Sequence, residues 1–85
     1  MNVTNIRKEQ VAREIFEFIA GYISDNGWAP SYREIVDATS ISSTSSVMDY
    51  LRRLESCGFI RFGSVSRAIA VTEEGWNEIE GKGRA

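Results

Sequence analysis

The 85-residue sequence has no histidine, a single cysteine and a single proline. Without histidine, acid–base catalysis near neutral pH would need carboxylates or lysines with strongly shifted pKa values. The lone Cys57 excludes an internal disulfide framework and indicates a reducing compartment. The sequence also lacks a cysteine–histidine cluster for zinc and a glycine-rich phosphate loop. We therefore predict a protein that is not an enzyme and that uses no metal, cofactor or small-molecule substrate.

Long apolar runs are missing as well. The first residues, Met1–Lys8, are polar, and no run approaches the roughly 18 apolar residues of a membrane span. This pattern predicts a cytoplasmic protein with no membrane partner. The length predicts a single domain over residues 1–85, with its core at about 5–80.

A positive charge excess is the last missing feature. The formal net charge is −2 and the isoelectric point is about 5.1, whereas DNA-binding domains are commonly basic. The acidic excess lies at the two ends of the chain, because residues 28–72 carry five basic and four acidic side chains. Attraction to phosphates is therefore expected to be modest.

The pattern that is present begins with a long amphipathic helix. Its apolar residues recur on one helical face, at Val11, Ile15, Phe18, Ile19, Tyr22 and Ile23. Thr4 or Asn5 can cap its start, and Asn26-Gly27 predicts its end.

A second, short helix follows Pro30. Ser31-Tyr32-Arg33-Glu34 matches the capping box, in which a serine caps the helix and a glutamate three residues later bonds back. The helix is predicted from Tyr32 to about Thr39. Its predicted buried side consists of Ile35, Val36 and Ala38.

A turn at about 39–42 leads to a third helix that Ser43 caps and Gly58 ends. Its apolar face is Val47, Tyr50, Leu51 and Leu54.

Strand-forming residues at 59–62 and 68–72 flank a turn-rich connection, which predicts a β-hairpin. A final short helix is predicted after Thr72, with Trp76 and Ile79 on its apolar side.

The predicted fold class is mainly α with a small β-hairpin, in the order of a winged helix-turn-helix: three helices, a two-stranded wing and a short C-terminal helix. Most aromatic side chains are predicted to belong to the core, namely Phe16, Phe18, Trp28, Phe59, Phe62 and Trp76.

Several segments, in order and at compatible spacing, resemble the N-terminal DNA-binding domain of LexA repressors. They are Gln10-Val11, Ile19–Gly27, Pro30-Ser31-x-Arg33-Glu34-Ile35, Ile41–Val47, Tyr50-Leu51-x-x-Leu54-Glu55-x-x-Gly58-Phe59-Ile60 and Ser66–Ile69. The resemblance covers roughly residues 5–72. It implies a bacterial or phage transcription regulator, a repressor, that binds double-stranded DNA.

LexA repressors continue into a self-cleaving protease domain, for which the sequence ending at Ala85 has no room. Self-cleavage is therefore not expected, and the chain is either a short regulator or a fragment.

The start of the third helix is the predicted base-reading region, both by the resemblance and because a helix in the major groove reads bases near its N-terminus. The predicted residues are Ser43, Ser45, Ser46, Met48 and Asp49. Serine can donate to or accept from base edges, Asp49 can accept from cytosine, and Met48 can contact a thymine methyl group. The alternative is that the serines only cap and solvate the helix.

A second group of residues is predicted to bind phosphates: Ser31, Tyr32, Arg33, Arg52, Arg53, Ser64, Ser66 and Arg67. The alternative is a set of solvated arginines, paired with Asp49 or Glu55. Arg61 is the weakest candidate.

Two functions remain open at this point. A sequence-specific DNA-binding regulator is the first, and a winged-helix protein-interaction module, such as a repressor antagonist or an assembly adaptor, is the second. A continuous surface of serines and arginines favours DNA, and its interruption by Asp49 and Glu55 favours protein.

A homodimer is also predicted, because operators are usually bound by two-fold dimers. Trp76 and Ile79 either supply its interface or cover the domain's own core.

Overall fold

The computed structural model describes residues 3–63, 65 and 67–80, with side chains from Lys8 onward. Its elements are α1 (Val3–Asn26), α2 (Tyr32–Ala38), α3 (Thr44–Ser56), β1 (Ile60–Phe62), β2 (Ile69–Val71) and α4 (Glu73–Glu80). This order confirms the predicted winged helix-turn-helix. Within the described part of the chain, no helix is both long and apolar enough to cross a membrane.

The start of α1 differs from the prediction. The helix already includes Val3, so Thr4 and Asn5 lie within it and do not cap it. Its end is as predicted, since the Gly27 N–H donates to the Ile23 carbonyl at 2.8 Å and Gly27 has a φ of +85°. That left-handed conformation favours glycine, which has no Cβ to clash with the backbone.

The buried face of α1 is rotated relative to the predicted one. Its fully buried residues follow the i, i+3, i+4, i+7, i+8 pattern from Ala12, at Ala12, Ile15, Phe16, Ile19 and Ala20. Val11, Phe18 and Ile23 are only partly buried at its margin. The two alanines mark the centre of this face weakly, because alanine is also common on exposed helix surfaces.

The predicted capping box of α2 is confirmed. The Ser31 hydroxyl accepts from the Glu34 N–H at 3.1 Å, and the Ser31 N–H donates to the Glu34 carboxylate at 2.8 Å. Thr39 caps the other end of α2. Ile35 is buried, but Ala38 is exposed, contrary to the prediction, because it is the last helical residue before the chain turns away toward α3.

Helix α3 attaches to the core through its apolar side. Val47 and Leu51 are 0% exposed and Leu54 is 4% exposed, as the periodicity predicts. The turn before α3 is also held to α1, because the Ser40 hydroxyl donates to the Glu14 carboxylate at 2.9 Å. The opposite side of α3 therefore has a defined orientation toward solvent.

The wing is an antiparallel pair in the register Ile60↔Val71, Arg61↔Ala70 and Phe62↔Ile69. Ile60 and Ile69 are buried and join the two strands of the wing to the core. Both strands are shorter than predicted, because Phe59, Ala68 and Thr72 lie outside them.

Helix α4 packs beneath the base of the wing. The Thr72 hydroxyl accepts from the Gly75 N–H at 2.9 Å, which confirms the predicted cap. Gly75 lies so close to β1 that a Cβ added there would overlap the Phe59 carbonyl oxygen. Ile79 packs against the core cluster.

The predicted aromatic core is correct in part. The rings of Phe16 and Phe59 stack at a centroid distance of 5.4 Å, and Phe18 and Phe62 pack at the edge of the core. Trp28 is 59% exposed, so its assignment to the core was wrong. The reason is that Ala29 and Pro30 turn inward after it and are buried, which leaves the indole outside.

Candidate nucleic-acid interface

The N-terminal half of α3 presents all five predicted base-reading residues on or near its solvent-facing side. Ser43, Ser45 and Asp49 are exposed, whereas Ser46 and Met48 are half-buried. The burial of Val47 and Leu51 on the opposite side fixes this orientation. The exposed residues can therefore approach a base edge without any rearrangement of the core.

The serines differ in what their hydroxyl groups already do. The Ser43 hydroxyl accepts from the Ser46 N–H at 3.3 Å and donates to the Ser46 hydroxyl at 3.2 Å, so it serves as the cap of α3. The Ser45 side chain makes no hydrogen bond to another described residue. Ser45 is therefore the serine whose hydroxyl has both a donor and an acceptor to offer to a ligand.

Asp49 carries the negative charge on this surface. The Arg52 guanidinium lies 3.4 Å from its carboxylate, and the side chains are 63% and 76% exposed for Arg52 and Asp49 respectively. An ion pair that is so exposed to water contributes little to stability. Either partner can therefore exchange it for another contact. Glu55 points elsewhere, because its carboxylate accepts from the Phe62 N–H at 3.4 Å. Asp49 is thus the acidic group that falls among the predicted base-reading residues.

Lys8 is a candidate that sequence reasoning missed. It lines a shallow depression together with Ser46, Asp49, Tyr50 and Arg53, so a cation from α1 lies beside α3. The periodicity of α1 shows that Lys8 is off the core face, but the packing of α1 against α3 is needed to show which surface it joins. Lys8 and Arg53 can both offer positive charge to a phosphate near the recognition surface.

The predicted phosphate-binding arginines fall into two groups. Arg33 and Arg53 are exposed and form no ion pair with another described residue. Arg67, in contrast, is engaged inside the protein. Its Nη1 donates to the Ala29 carbonyl at 3.0 Å and to the Tyr22 hydroxyl at 3.4 Å, and it lies 3.0 Å from the Glu34 carboxylate in an ion pair.

The contacts around Arg67 also shift two pKa values. The backbone N–H of Ser31, followed by the Arg67 and Tyr22 side chains, lowers the pKa of Glu34 below its ordinary value, against a partial desolvation that raises it. The Tyr22 hydroxyl and the Glu34 carboxylate raise the pKa of Arg67. Both groups are therefore charged at neutral pH, and 44% of the Arg67 side chain still faces solvent.

The remaining predicted phosphate-binding residues lie at α2 and the wing. The Ser31 hydroxyl is engaged in the capping box, and the Tyr32 hydroxyl donates to the Gly63 carbonyl at 3.2 Å. Ser64 and Ser66 lie outside the described residues. Over the part of the chain that is described, no three potential ligands from histidine, cysteine, aspartate and glutamate come together as a metal site.

The comparison with known families shows which family the helices and wing of this surface belong to. Residues 7–68 match the model of the LexA DNA binding domain. The chain belongs to the LexA DNA-binding domain family. The matched range of this LexA-family domain runs from α1 through the wing and contains every residue predicted to contact DNA.

Individual relatives agree with the family match. The chain is 42% identical over 73 residues to a LexA repressor of Anaeromyxobacter sp., which covers 85% of this chain and 32% of the relative. It is 43% identical over 74 residues to a LexA repressor of Clostridium botulinum, with 86% and 35% covered. It is 40% identical over 75 residues to a LexA repressor of Ligilactobacillus salivarius, with 87% and 36% covered. This LexA-family domain thus spans about a third of the length of the curated relatives it matches.

Proposed function

We propose that the chain binds double-stranded DNA in a sequence-specific manner and represses transcription, with α3 in the major groove. The observation that carries the proposal is the orientation of α3 in a LexA-type domain. Its apolar side is fully buried, and its serine-led start is presented to solvent. The relatives are named LexA repressors, which supports repression as the direction of control. The site of action is the DNA of the cytoplasmic nucleoid.

Base recognition is assigned to the start of α3. Ser45 and Asp49 are the exposed members with groups to offer, Met48 supplies an apolar contact, and Ser43 and Ser46 complete the surface. The leading edge has no arginine or asparagine, so two-pronged contacts to a single base are not expected. Discrimination between sequences should therefore come from several weak contacts.

Affinity is assigned to a small set of cations and hydrogen-bond donors. Arg33, Arg52 and Arg53 are exposed, and Lys8 lies beside the recognition surface. Ser31, Tyr32, Ser64, Ser66 and Arg67 are the further phosphate candidates on α2 and the wing. With so few cations, a single domain would bind weakly, so we propose that two copies occupy two half-sites of one operator. The packing of Ile79 on the core leaves less of α4 for such a dimer contact.

The non-DNA-binding alternative has no observation in its favour. Asp49 pairs with Arg52 on the surface, and Glu55 accepts from the β1 backbone, so neither builds an acidic patch across the start of α3. Membership in a DNA-binding family also gives no support to a catalytic role.

The test is selection from a pool of random duplexes at two salt concentrations, with the wild type and two matched serine variants. Ser45→Ala removes the exposed hydroxyl at the start of α3, and Ser56→Ala removes an exposed hydroxyl at its other end. We expect the wild type to select a motif and to lose affinity as salt rises. Ser45→Ala should relax one position of that motif, whereas Ser56→Ala should leave it unchanged. Failure of the wild type to select any duplex at low salt would refute the proposal.

A further inference from the structure

The wing is attached to the helix-turn-helix by a polar cluster that includes an acidic residue. This cluster, called the wing anchor below, consists of the side chains of Tyr22, Glu34 and Arg67 and the carbonyl group of Ala29. Arg67 is its only member from the wing. Its Nη1 donates to the Tyr22 hydroxyl and the Ala29 carbonyl and forms an ion pair with the Glu34 carboxylate. The Tyr22 hydroxyl also donates to the second oxygen of the Glu34 carboxylate at 3.2 Å, which closes the network.

The three partners of Arg67 come from three different parts of the helix-turn-helix. Tyr22 lies in the last turns of α1, Ala29 in the linker and Glu34 in the first turn of α2. Arg67 is 45 residues from Tyr22 and 38 residues from Ala29 along the chain. A single guanidinium therefore fixes the end of the wing to elements that are remote in sequence.

The backbone of Arg67 supports a positioning role. Its φ is +69°, and it is the only non-glycine residue with a positive φ in the described part of the chain. This left-handed conformation is unfavourable for a residue with a Cβ and is uncommon for any residue other than glycine, asparagine or aspartate. The side chain therefore makes contacts that glycine, the easier residue for this backbone, could not supply.

A second tether holds the other side of the wing connection. The hydroxyl of Tyr32, the first residue of α2, donates to the carbonyl of Gly63, which directly follows β1. The buried apolar residues of the wing lie in its two strands, at Ile60 and Ile69, whereas Val65 in the connection is 66% exposed. The outer part of the wing is thus held by polar contacts to α2 and the linker.

We propose that the wing anchor fixes the wing beside α3 and that Glu34, although acidic, is a positioning residue for DNA binding. The inference rests on the proposed function and deepens it. The proposed role of Glu34 predicts an effect on DNA affinity that is opposite to the usual effect of an acidic residue. Removal of a negative charge near a DNA-binding surface ordinarily strengthens binding. Removal of the Glu34 charge should weaken it, because the wing loses its orientation.

The test compares two variants of α2 that lose the same charge. Glu34→Gln keeps the size of the side chain and the capping box, since glutamine also serves at that position. Asp37→Asn removes an exposed carboxylate from the same helix and outside the wing anchor. We expect E34Q to weaken binding to the selected duplex by about three- to tenfold, the equivalent of one ordinary hydrogen bond. D37N should bind as tightly as the wild type or more tightly.

A second measurement reports on the wing without DNA. The steady-state ¹H–¹⁵N NOE of the Val65, Arg67 and Ala68 amides measures the order of the wing connection in the free protein. E34Q should lower these values, and D37N should not. The thermal midpoint of both variants, measured in parallel, shows whether a loss of binding follows from unfolding.

The outcomes separate this inference from the proposed function. If the wild type binds no duplex, the proposed function fails, and the NOE values alone decide whether Glu34 orders the wing. If the wild type binds but E34Q binds as tightly as D37N, the inference is overturned and the proposed function stands. Weaker binding of E34Q with unchanged wing NOE values would also overturn the inference, because Glu34 would then affect binding without ordering the wing.

Discussion

Helix α3 and the wing lie in the same LexA-type domain but are held in place by different kinds of contact. Helix α3 is attached through Val47, Leu51 and Leu54, which are at most 4% exposed. The outer wing is attached through the contacts of Arg67 with α1, the linker and α2, and through the Tyr32 hydroxyl of α2, which donates to the Gly63 carbonyl. Apolar burial depends little on pH and salt, whereas exposed polar contacts depend on both. We therefore expect the position of α3 to change little with pH and salt, and the position of the wing to change more.

The largest effect is expected from a change that breaks the apolar attachment of α3. Leu51→Ala should lower the free energy of unfolding by about 2–5 kcal/mol, because it removes a buried side chain and leaves a cavity. DNA binding should be lost together with stability. Denaturant unfolding measures the change, with Ser56→Ala on the exposed side of α3 as the control. A loss below about 1 kcal/mol would contradict the assignment of α3 to the core.

A smaller effect is expected where the base of the wing meets α4. Gly75→Ala should destabilise the domain by about 1–3 kcal/mol, because the added methyl group overlaps the Phe59 carbonyl and crowds Val71. Gly21→Ala is the matched control, since nothing lies within 4 Å of a Cβ there. That exposed helical position should gain about 0.5–1 kcal/mol. Equal effects at the two glycines, measured by thermal unfolding, would refute the close packing of α4 beneath the wing.

The contribution of charge near α3 is expected to be smaller again. Arg53→Ala should weaken binding to all duplexes alike by a fewfold and reduce the salt slope of log K by about one. Arg61→Ala on β1 removes the same charge at the position judged the weakest candidate. Titrations at four salt concentrations distinguish the two, and an equal loss for Arg61→Ala would show that overall charge, not position, determines affinity.

The smallest effect is a pH dependence of the wing anchor. The Ser31 N–H and the Arg67 guanidinium hold the pKa of Glu34 below its ordinary value of 4.5. The ionised group therefore stabilises the fold fully above that value, and this contribution is lost as the pH falls through the lower pKa of the folded state. The thermal midpoint of the wild type should exceed that of E34Q near neutral pH, and the difference should shrink in acid. A difference that grows toward low pH would contradict the assigned direction.

The same contrast explains how much the sequence could predict. The capping box at Ser31, the serine cap at Ser43 and the spacing of Val47, Leu51 and Leu54 are local patterns, and the structure confirms all of them. The LexA resemblance was carried by the same local segments, and the family match confirms it.

The errors and omissions arose where tertiary structure overrides local pattern. The exposure of Trp28 depends on Ala29 and Pro30, which turn inward and are buried. The proximity of Lys8 to α3 and the contacts of Arg67 join residues far apart in sequence. Composition and periodicity carry no information about such pairs. Whether the predicted site residues contact DNA stays a prediction.

The most direct test of the central claim is to map the DNA-bound surface by amide chemical shifts during titration with the selected duplex. The account predicts the largest shifts at the start of α3, around Ser45 and Asp49, and in the wing around Arg67. Helix α4 should change little. Shifts concentrated on α4 and the adjoining side of α1, or no shifts with any duplex, would contradict the claim that α3 and the anchored wing together form a DNA-binding surface.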